Sequence, residues 1–349
     1  VIDPFELVRA EEMIIGYSAR WFDEPYEVLG VEQEFQTALV EPDSDIESNF
    51  FDLGGKLDCV ARHIPTGDTV LIESKTTSED ISEGSPYWLR TLMSSQLSTY
   101  LVGMRQLCYE PTRIVYDVLA RPAQRPYEAT PIELRKYTKP TKKEPEPRLY
   151  ANQRETDETP EDFRQRIRAA ISENPEKYYR RGGAVRLASE EREAAFDAWQ
   201  IAENITEGRF KNSFPRNPDA CAGVGQGVCT FLPVCAGMAA IDDPFRYRRV
   251  ENVHQELTIK SRSLPLLTNS QMATFRKCQR LHHFRYDLGV RSLTTTEPQR
   301  AGTLVHRGLE GWWLAKKNGL DERTCVWQAM AMMSREPPSP AYLPEEAVA

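Results

Sequence analysis

Gly55-Lys56-Leu57-Asp58-Cys59-Val60 and Val70-Leu71-Ile72-Glu73-Ser74-Lys75 are the two stretches whose reading decides the fold. Between them, Pro65-Thr66-Gly67-Asp68 is a turn signal. Phe50 to His63 and Thr69 to Lys75 therefore read as two strands joined by a short turn. Residues two apart on a strand share a face, so Glu73 and Lys75 point into one cleft. Fourteen residues separate Asp58 from Glu73. Taken alone, that spacing suits a solvated surface hairpin better. The apolar neighbours argue the other way, because a charge inside a buried strand is costly without a partner. Two carboxylates suit a hard cation such as Mg²⁺ or Mn²⁺, and a cation of that kind serves phosphodiester hydrolysis.

Working outward, residues 28–40 alternate with period two and predict another strand. Residues 1–25 carry apolar groups at helical spacing, as do residues 87–107. Residues 112–121 read as a strand. Strands followed by a helix and a further strand predict a mixed α/β domain, a central sheet flanked by helices, over 1–121. Residues 122–210 read as an arm rich in Pro, Lys and Glu up to about 160, then a helical insertion with helices at 160–173 and 188–208. A cysteine-bearing segment and linker occupy 211–261. Helices resume at 268–286, 299–317 and 321–333 within a last segment, 262–349, whose Pro-rich end from Glu336 is expected to be loose.

Gln96 and Tyr100 lie one turn apart on the helix that follows Lys75. Together with Asp58 and Glu73-Ser74-Lys75, they resemble the motifs of the RecB-like branch of the PD-(D/E)XK nuclease superfamily. The resemblance implies metal ligation by Asp58, Glu73 and the backbone carbonyl of Ser74, with Lys75 catalytic. It implies a positioning role, at the active site or the DNA backbone, for Gln96 and Tyr100. That branch opens with a helix carrying a cysteine and then a Gly-x-x-x-His helix. Here both resemble segments near the C-terminus, Thr268 to Gly289 with Cys278, and Gly302-Thr-Leu-Val-His306-Arg-Gly-Leu-Glu310. The expected arrangement is one circularly permuted domain, completed by residues 262–349, with His306 joining the metal site. A truncated second nuclease domain is the alternative.

Seven cysteines, an odd number, argue against a disulfide framework. Cys221, Cys229 and Cys235 cluster in a Gly- and Pro-rich stretch. Four thiolates suit Zn²⁺ or an iron–sulfur cluster. Resemblance to AddB-like and CRISPR-adaptation-exonuclease-like members, including phage-type ones, implies a [4Fe–4S] staple held by Cys278 with Cys221, Cys229 and Cys235, although the first gap is longer than usual. Cys59, Cys108 and Cys325 read as core residues.

Basic and aromatic residues interleave at Arg276, Lys277, Arg280 and Arg285, and again at Tyr179 and Arg180. Such mixtures suit single-stranded DNA. A net charge of −8 weighs mildly against a nucleic-acid partner. No phosphate-binding loop motif is present, so a helicase or recombinase would be a separate chain. No run reaches the roughly 18 apolar residues of a membrane span. Without a basic-then-apolar leader, the expected location is cytoplasmic, in a bacterium or a phage-infected cell. The expected activity is a Mg²⁺- or Mn²⁺-dependent exonuclease acting on DNA ends. The rivals are an inactive nuclease-like module that binds DNA ends and a zinc-stapled interaction protein.

Overall fold

The computed structural model describes residues 2–139, 146–223, 227–259, 264–294 and 297–334. The expected loose end from Glu336 and the segment boundary at 261–262 lie outside them. In chain order the elements begin with α1 (Pro4–Trp21), β1 (Tyr26–Val40), β2 (Glu47–His63), β3 (Thr69–Thr77), α2 (Pro86–Leu92), α3 (Gln96–Gln106) and β4 (Pro111–Ala120). There follow α4 (Pro160–Glu173), β5 (Tyr179–Ala184), α5 (Ala188–Lys211), the two-residue strands β6 (Ala222–Gly223) and β7 (Gly227–Val228), and α6 (Leu232–Cys235). The last are β8 (Tyr247–Arg249), β9 (Leu266–Thr268), α7 (Asn269–Lys277), α8 (Gln279–His282), β10 (Val290–Ser292), α9 (Glu297–Lys317) and α10 (Glu322–Ser334). Among the described residues, no helix is long and apolar enough to cross a membrane.

The central sheet runs β1-β2-β3-β4-β5, with β9 paired to β2. The β1–β2 and β2–β3 pairs are antiparallel, β3–β4 is parallel, and β5 returns antiparallel to β4. This is the mixed sheet expected, flanked by helices on both faces. Alternation divides its side chains between two cores. Cys59, Ala61, Val70, Ile72, Val115 and Leu119 face α1 and α9, where they meet Ile14, Tyr17, Leu304, Leu309 and Trp312. Leu57, Val60, Leu71, Tyr116 and Val118 face α3 and meet Leu97, Leu101 and Met104. Each large aliphatic side chain among them, fully buried, contributes about 1.5–3 kcal/mol, and this burial holds α3 against the sheet. The close approach of α3 requires Gly103, where a Cβ would stand 2.4 Å from the Phe35 ring.

The single helix predicted over 87–107 is two. The break at Met93–Ser95 has a cause in packing: Arg186 donates to the Ser94 carbonyl at 2.7 Å, taking an acceptor that a continuous helix would use itself. The helix predicted over 268–286 likewise divides, because Cys278 takes an extended conformation between α7 and α8. Cys108 is a correction to the core assignment. It is exposed, with a left-handed φ of 62° just past the end of α3, a position set by helix termination. Cys59 and Cys325 are buried as expected.

Candidate active site

The β2–β3 ladder ends at the pair Cys59–Ile72. Beyond it the strands part, and the next residue on each is a carboxylate, Asp58 and Glu73. Ser74 donates its backbone N–H to Asp58 Oδ2 at 2.9 Å, so a side chain replaces the strand partner at the fork. On the other side, β4 continues in parallel register, with Tyr116 beside Glu73.

Glu73 is 2% exposed. Lys75 Nζ donates to Glu73 Oε1 at 2.6 Å and to Gln96 Oε1 at 2.9 Å. Gln96 Nε2 in turn donates to the Tyr100 hydroxyl at 2.7 Å. The sequence-predicted set Asp58, Glu73, Ser74, Lys75, Gln96 and Tyr100 is thus one connected network. Burial, and then the charge of Asp58, push the Glu73 carboxyl up to about 8, even with Lys75 attached. Its other oxygen, Oε2, is buried without a hydrogen-bond partner. A buried carboxylate beside a second one, with an oxygen left over, lacks positive charge.

His306 reaches the same region from α9. Burial holds its imidazole below the usual range, opposed by the field of Asp58 and aided by Lys75 and Lys56. A neutral imidazole is the metal-binding form. One neighbour escaped the reading of the sequence. Glu32, with a left-handed φ of 51°, falls between the registered pairs Val31–Cys59 and Gln33–Leu57. It forms an ion pair with Lys56. Burial and the nearby Asp58 raise its carboxyl to about 7, and Glu310 adds to the rise. The only sequence signal was an acid in an otherwise alternating strand.

Among the described residues, no three His, Cys, Asp or Glu side chains form a group that could hold a metal ion. The donor chemistry at the fork nonetheless suits a hard cation: carboxylate oxygens, one of them buried and unpartnered, in a field short of positive charge.

A family model described as the PD-(D/E)XK nuclease superfamily matches residues 5–236 and 267–347. The chain belongs to the PD-(D/E)XK nuclease superfamily. No curated protein and no solved structure matches it. Members of this superfamily are generally nucleases, and a nuclease would act on DNA. Mg²⁺ or Mn²⁺ is the usual cofactor of PD-(D/E)XK enzymes, in keeping with the oxygen-rich donor set.

The four cysteines meet elsewhere. Cys221, Cys229, Cys235 and Cys278 line one pocket together with Phe231, Leu281 and Phe284. Backbone contacts assemble it: Asn217 donates N–H to Cys278 Sγ at 3.4 Å, Arg280 N donates to Pro215 O at 3.1 Å, and Arg216 caps the Cys235 carbonyl at 2.9 Å. Burial, then Arg280 in opposition and the other three thiols in support, leave the Cys235 thiol raised. All four are free thiols, and soft donors suit iron or zinc.

The basic residues divide. Arg276 and Lys277 are exposed. Arg276 bonds Ser95 Oγ and Asp197, both at 3.1 Å, while Arg280 donates to the Phe214 carbonyl at 3.1 Å. Arg285 is half-buried. Tyr179 is a correction. Its ring is 1% exposed and its hydroxyl donates to the Met13 carbonyl at 2.9 Å, so it is core and offers no face to a base. Arg180 beside it is half-buried, 3.9 Å from Glu83.

Proposed function

We propose that this protein is a Mg²⁺- or Mn²⁺-dependent deoxyribonuclease that degrades DNA from its ends. The observation that carries the reading is the meeting of Asp58 and Glu73 where β2 and β3 part, with Lys75 and Gln96 attached. Asp58, Glu73, the Ser74 carbonyl and neutral His306 would hold the cation. Once bound, the cation supplies charge that polarises the scissile phosphate and acidifies a water. Lys75, released from Glu73, orients that water or offsets phosphate charge. Gln96 keeps the Lys75 ammonium in place through its amide oxygen, and Tyr100 fixes the orientation of Gln96. The buried walls of β3 and α3 exclude bulk solvent. Arg276, Lys277, Arg280, Arg285 and Arg180 are the candidates for phosphate contacts.

We also infer a [4Fe–4S] cluster on Cys278, Cys221, Cys229 and Cys235, a staple between the cysteine segment and α7–α8, in a domain whose RecB-like order is permuted. The sharing of one core by α1 and α9 supports the permuted order. A brown preparation absorbing near 400 nm, lost in Cys229→Ala, is the expected result for the cluster. A colourless protein with one zinc would replace iron by zinc and leave the nuclease reading untouched.

The decisive experiment incubates end-labelled linear DNA and closed circular DNA with the protein and Mn²⁺. Linear strands should shorten while circles persist, and Glu73→Ala should leave both intact. Cleavage by Glu73→Ala at the parent rate would overturn the assignment. Tight binding of linear DNA without any cutting by the parent protein would favour an inactive end-binding module.

A further inference from the structure

A second lysine stands on the other side of Asp58 from Lys75. In the sheet, β2 lies between β1 and β3. Glu73 and Lys75 flank Asp58 from β3. Toward β1 the flanking groups are Lys56, two residues before Asp58, and Glu32. Lys56 is in register with Glu34, the acid that an ordinary cross-strand ion pair would use. Glu34 is engaged elsewhere. It accepts the backbone N–H of Thr258 at 2.8 Å and of Ile259 at 2.7 Å. Lys56 forms its ion pair with Glu32 instead, at the level of Asp58. The ammonium is thereby drawn along the strand toward the fork. Glu310 and Asp58 lie within its field, and it acts in turn on His306. The Lys56 side chain is 29% exposed and that of Lys75 31%, so both ammoniums are open to a substrate.

The backbone at that level departs from a regular strand on both sides. On β2, Leu57 and Val60 both face the α3 core, and Cys59 faces the α1–α9 core. On β1, Val31 packs against the α1–α9 core while Phe35 faces the α3 core. Strict alternation allows neither pattern. On β2 the slip falls at Asp58. On β1 it falls between Val31 and Phe35, where Glu32 has a left-handed φ of 51°. That conformation is costly for a residue with a Cβ, and such outliers collect at functional sites. A partly exposed ion pair alone contributes too little to offset the cost.

An in-line displacement at phosphorus has its attacking and leaving oxygens on opposite sides. In the reading above, Lys75 serves the water from the β3 side. The bridging oxygen that departs then emerges on the β1 side, where Lys56 stands. We propose that Lys56 is a further catalytic residue, whose ammonium donates a hydrogen bond to the departing oxygen, and that Glu32 is its positioning residue. The inference rests on the nuclease reading, with Lys75 as the cation on the water side. The step balances without another reactant. The water oxygen bonds to phosphorus as the bridging P–O bond breaks, and the bond pair leaves on the bridging oxygen. Solvent receives the proton of the water and supplies one to that oxygen. Lys56 keeps its own proton and offsets the charge that develops.

The test replaces the leaving oxygen by sulfur, because a thiolate departs with little help. Single-turnover cleavage by the full chain in Mn²⁺ is measured on three linear DNAs. Their linkages near the end carry a 3′-bridging sulfur, a 5′-bridging sulfur, or oxygen throughout. Lys56→Met should slow the oxygen substrate about 10²-fold and one of the two sulfur substrates less than about tenfold. Lys75→Met should slow that sulfur substrate as much as the oxygen one. Lys56→Arg, which keeps the charge, should restore most of the oxygen rate. Glu32→Gln should shift the oxygen-to-sulfur ratio severalfold in the same direction, and it carries the test should Lys56→Met lose its fold by thermal melting. Mn²⁺ uptake by the metal-stripped protein should not fall in Lys56→Met, which separates a role toward the substrate from support of the cation site. Equal losses on oxygen and on both sulfur substrates, or lost Mn²⁺ uptake, would overturn the proposal. A parent protein that cuts none of the three DNAs would strike the nuclease reading itself, and the leaving-group role with it.

Discussion

Two carboxylates sit fully buried on adjacent strands of the same sheet, Glu73 on β3 and Asp117 on β4, and they do different work. Both are raised, Glu73 to about 8 and Asp117 to about 7, in each case chiefly by burial. Each has one oxygen without a partner. What differs is the company. Asp117 faces α1, where Tyr17 donates to it at 2.5 Å and Arg181 at 2.8 Å. Arg181 is anchored in turn by Glu24 and lies over the Trp21 ring. Glu73 faces the cleft with Asp58 as a second negative neighbour and Lys75, its side chain 31% exposed, as its ion-pair partner. A rigid buried counterion marks Asp117 as structural. A like-charged neighbour with a movable ammonium fits the role proposed for Glu73 as a cation ligand.

That contrast can be broken in several ways. The largest effect concerns activity. Glu73→Ala should lower DNA cleavage by on the order of 10³-fold or more while the folded state persists, as read by a gel assay beside circular dichroism. Asp117→Ala should do the reverse. Removing it leaves the buried Arg181 with Glu24 and the Tyr17 hydroxyl but without its buried carboxylate, which should cost about 3 kcal/mol in denaturant unfolding, with cleavage by the folded fraction retained. If the two phenotypes were exchanged, the assignment of roles would be wrong.

The pH dependence of stability sharpens the contrast. The Glu73 carboxyl, about 8 in the folded metal-free chain, lies above its ordinary value of 4.5. A group raised on folding gives its full stabilisation below the unfolded value and loses it as pH climbs through the folded one. In chelator, Glu73→Gln should therefore gain stability relative to the parent as pH rises from about 4.5 to 8. The corresponding window for Asp117→Asn should close near pH 7. Mn²⁺ should flatten the Glu73 dependence and leave that of Asp117 alone. The smallest effect belongs to Tyr179→Phe. Loss of its bond to Met13 should cost about 1 kcal/mol with unchanged DNA affinity, whereas a large fall in affinity would return Tyr179 to the DNA surface.

The fork was legible because its signals are local. Strand period, a turn and carboxylates inside apolar runs all lie within residues 55–75. The Gln96–Tyr100 spacing needed only a helix. The strand β5 was not legible, because Tyr-Arg-Arg-Gly-Gly-Ala has little strand propensity of its own. It is a strand by pairing with β4, and Gly182 is there because a Cβ would press within 2.5 Å of Trp88. Reading those residues as a basic-aromatic patch therefore put the buried Tyr179 on the surface. Glu32 was missed for a related reason: only the β1–β2 register brings it to Asp58. The break in the helix after β3 depends on Arg186, some ninety residues away in sequence, which no local pattern could announce.

The claim on which the account rests is that the fork itself holds the cation. Titrating Mn²⁺ into the metal-stripped protein and following free Mn²⁺ by electron paramagnetic resonance measures this without DNA. The parent and Asp117→Asn should both take up the ion, and Glu73→Gln should lose most of that uptake. Equal uptake by Glu73→Gln and the parent would place the cation elsewhere and contradict the account.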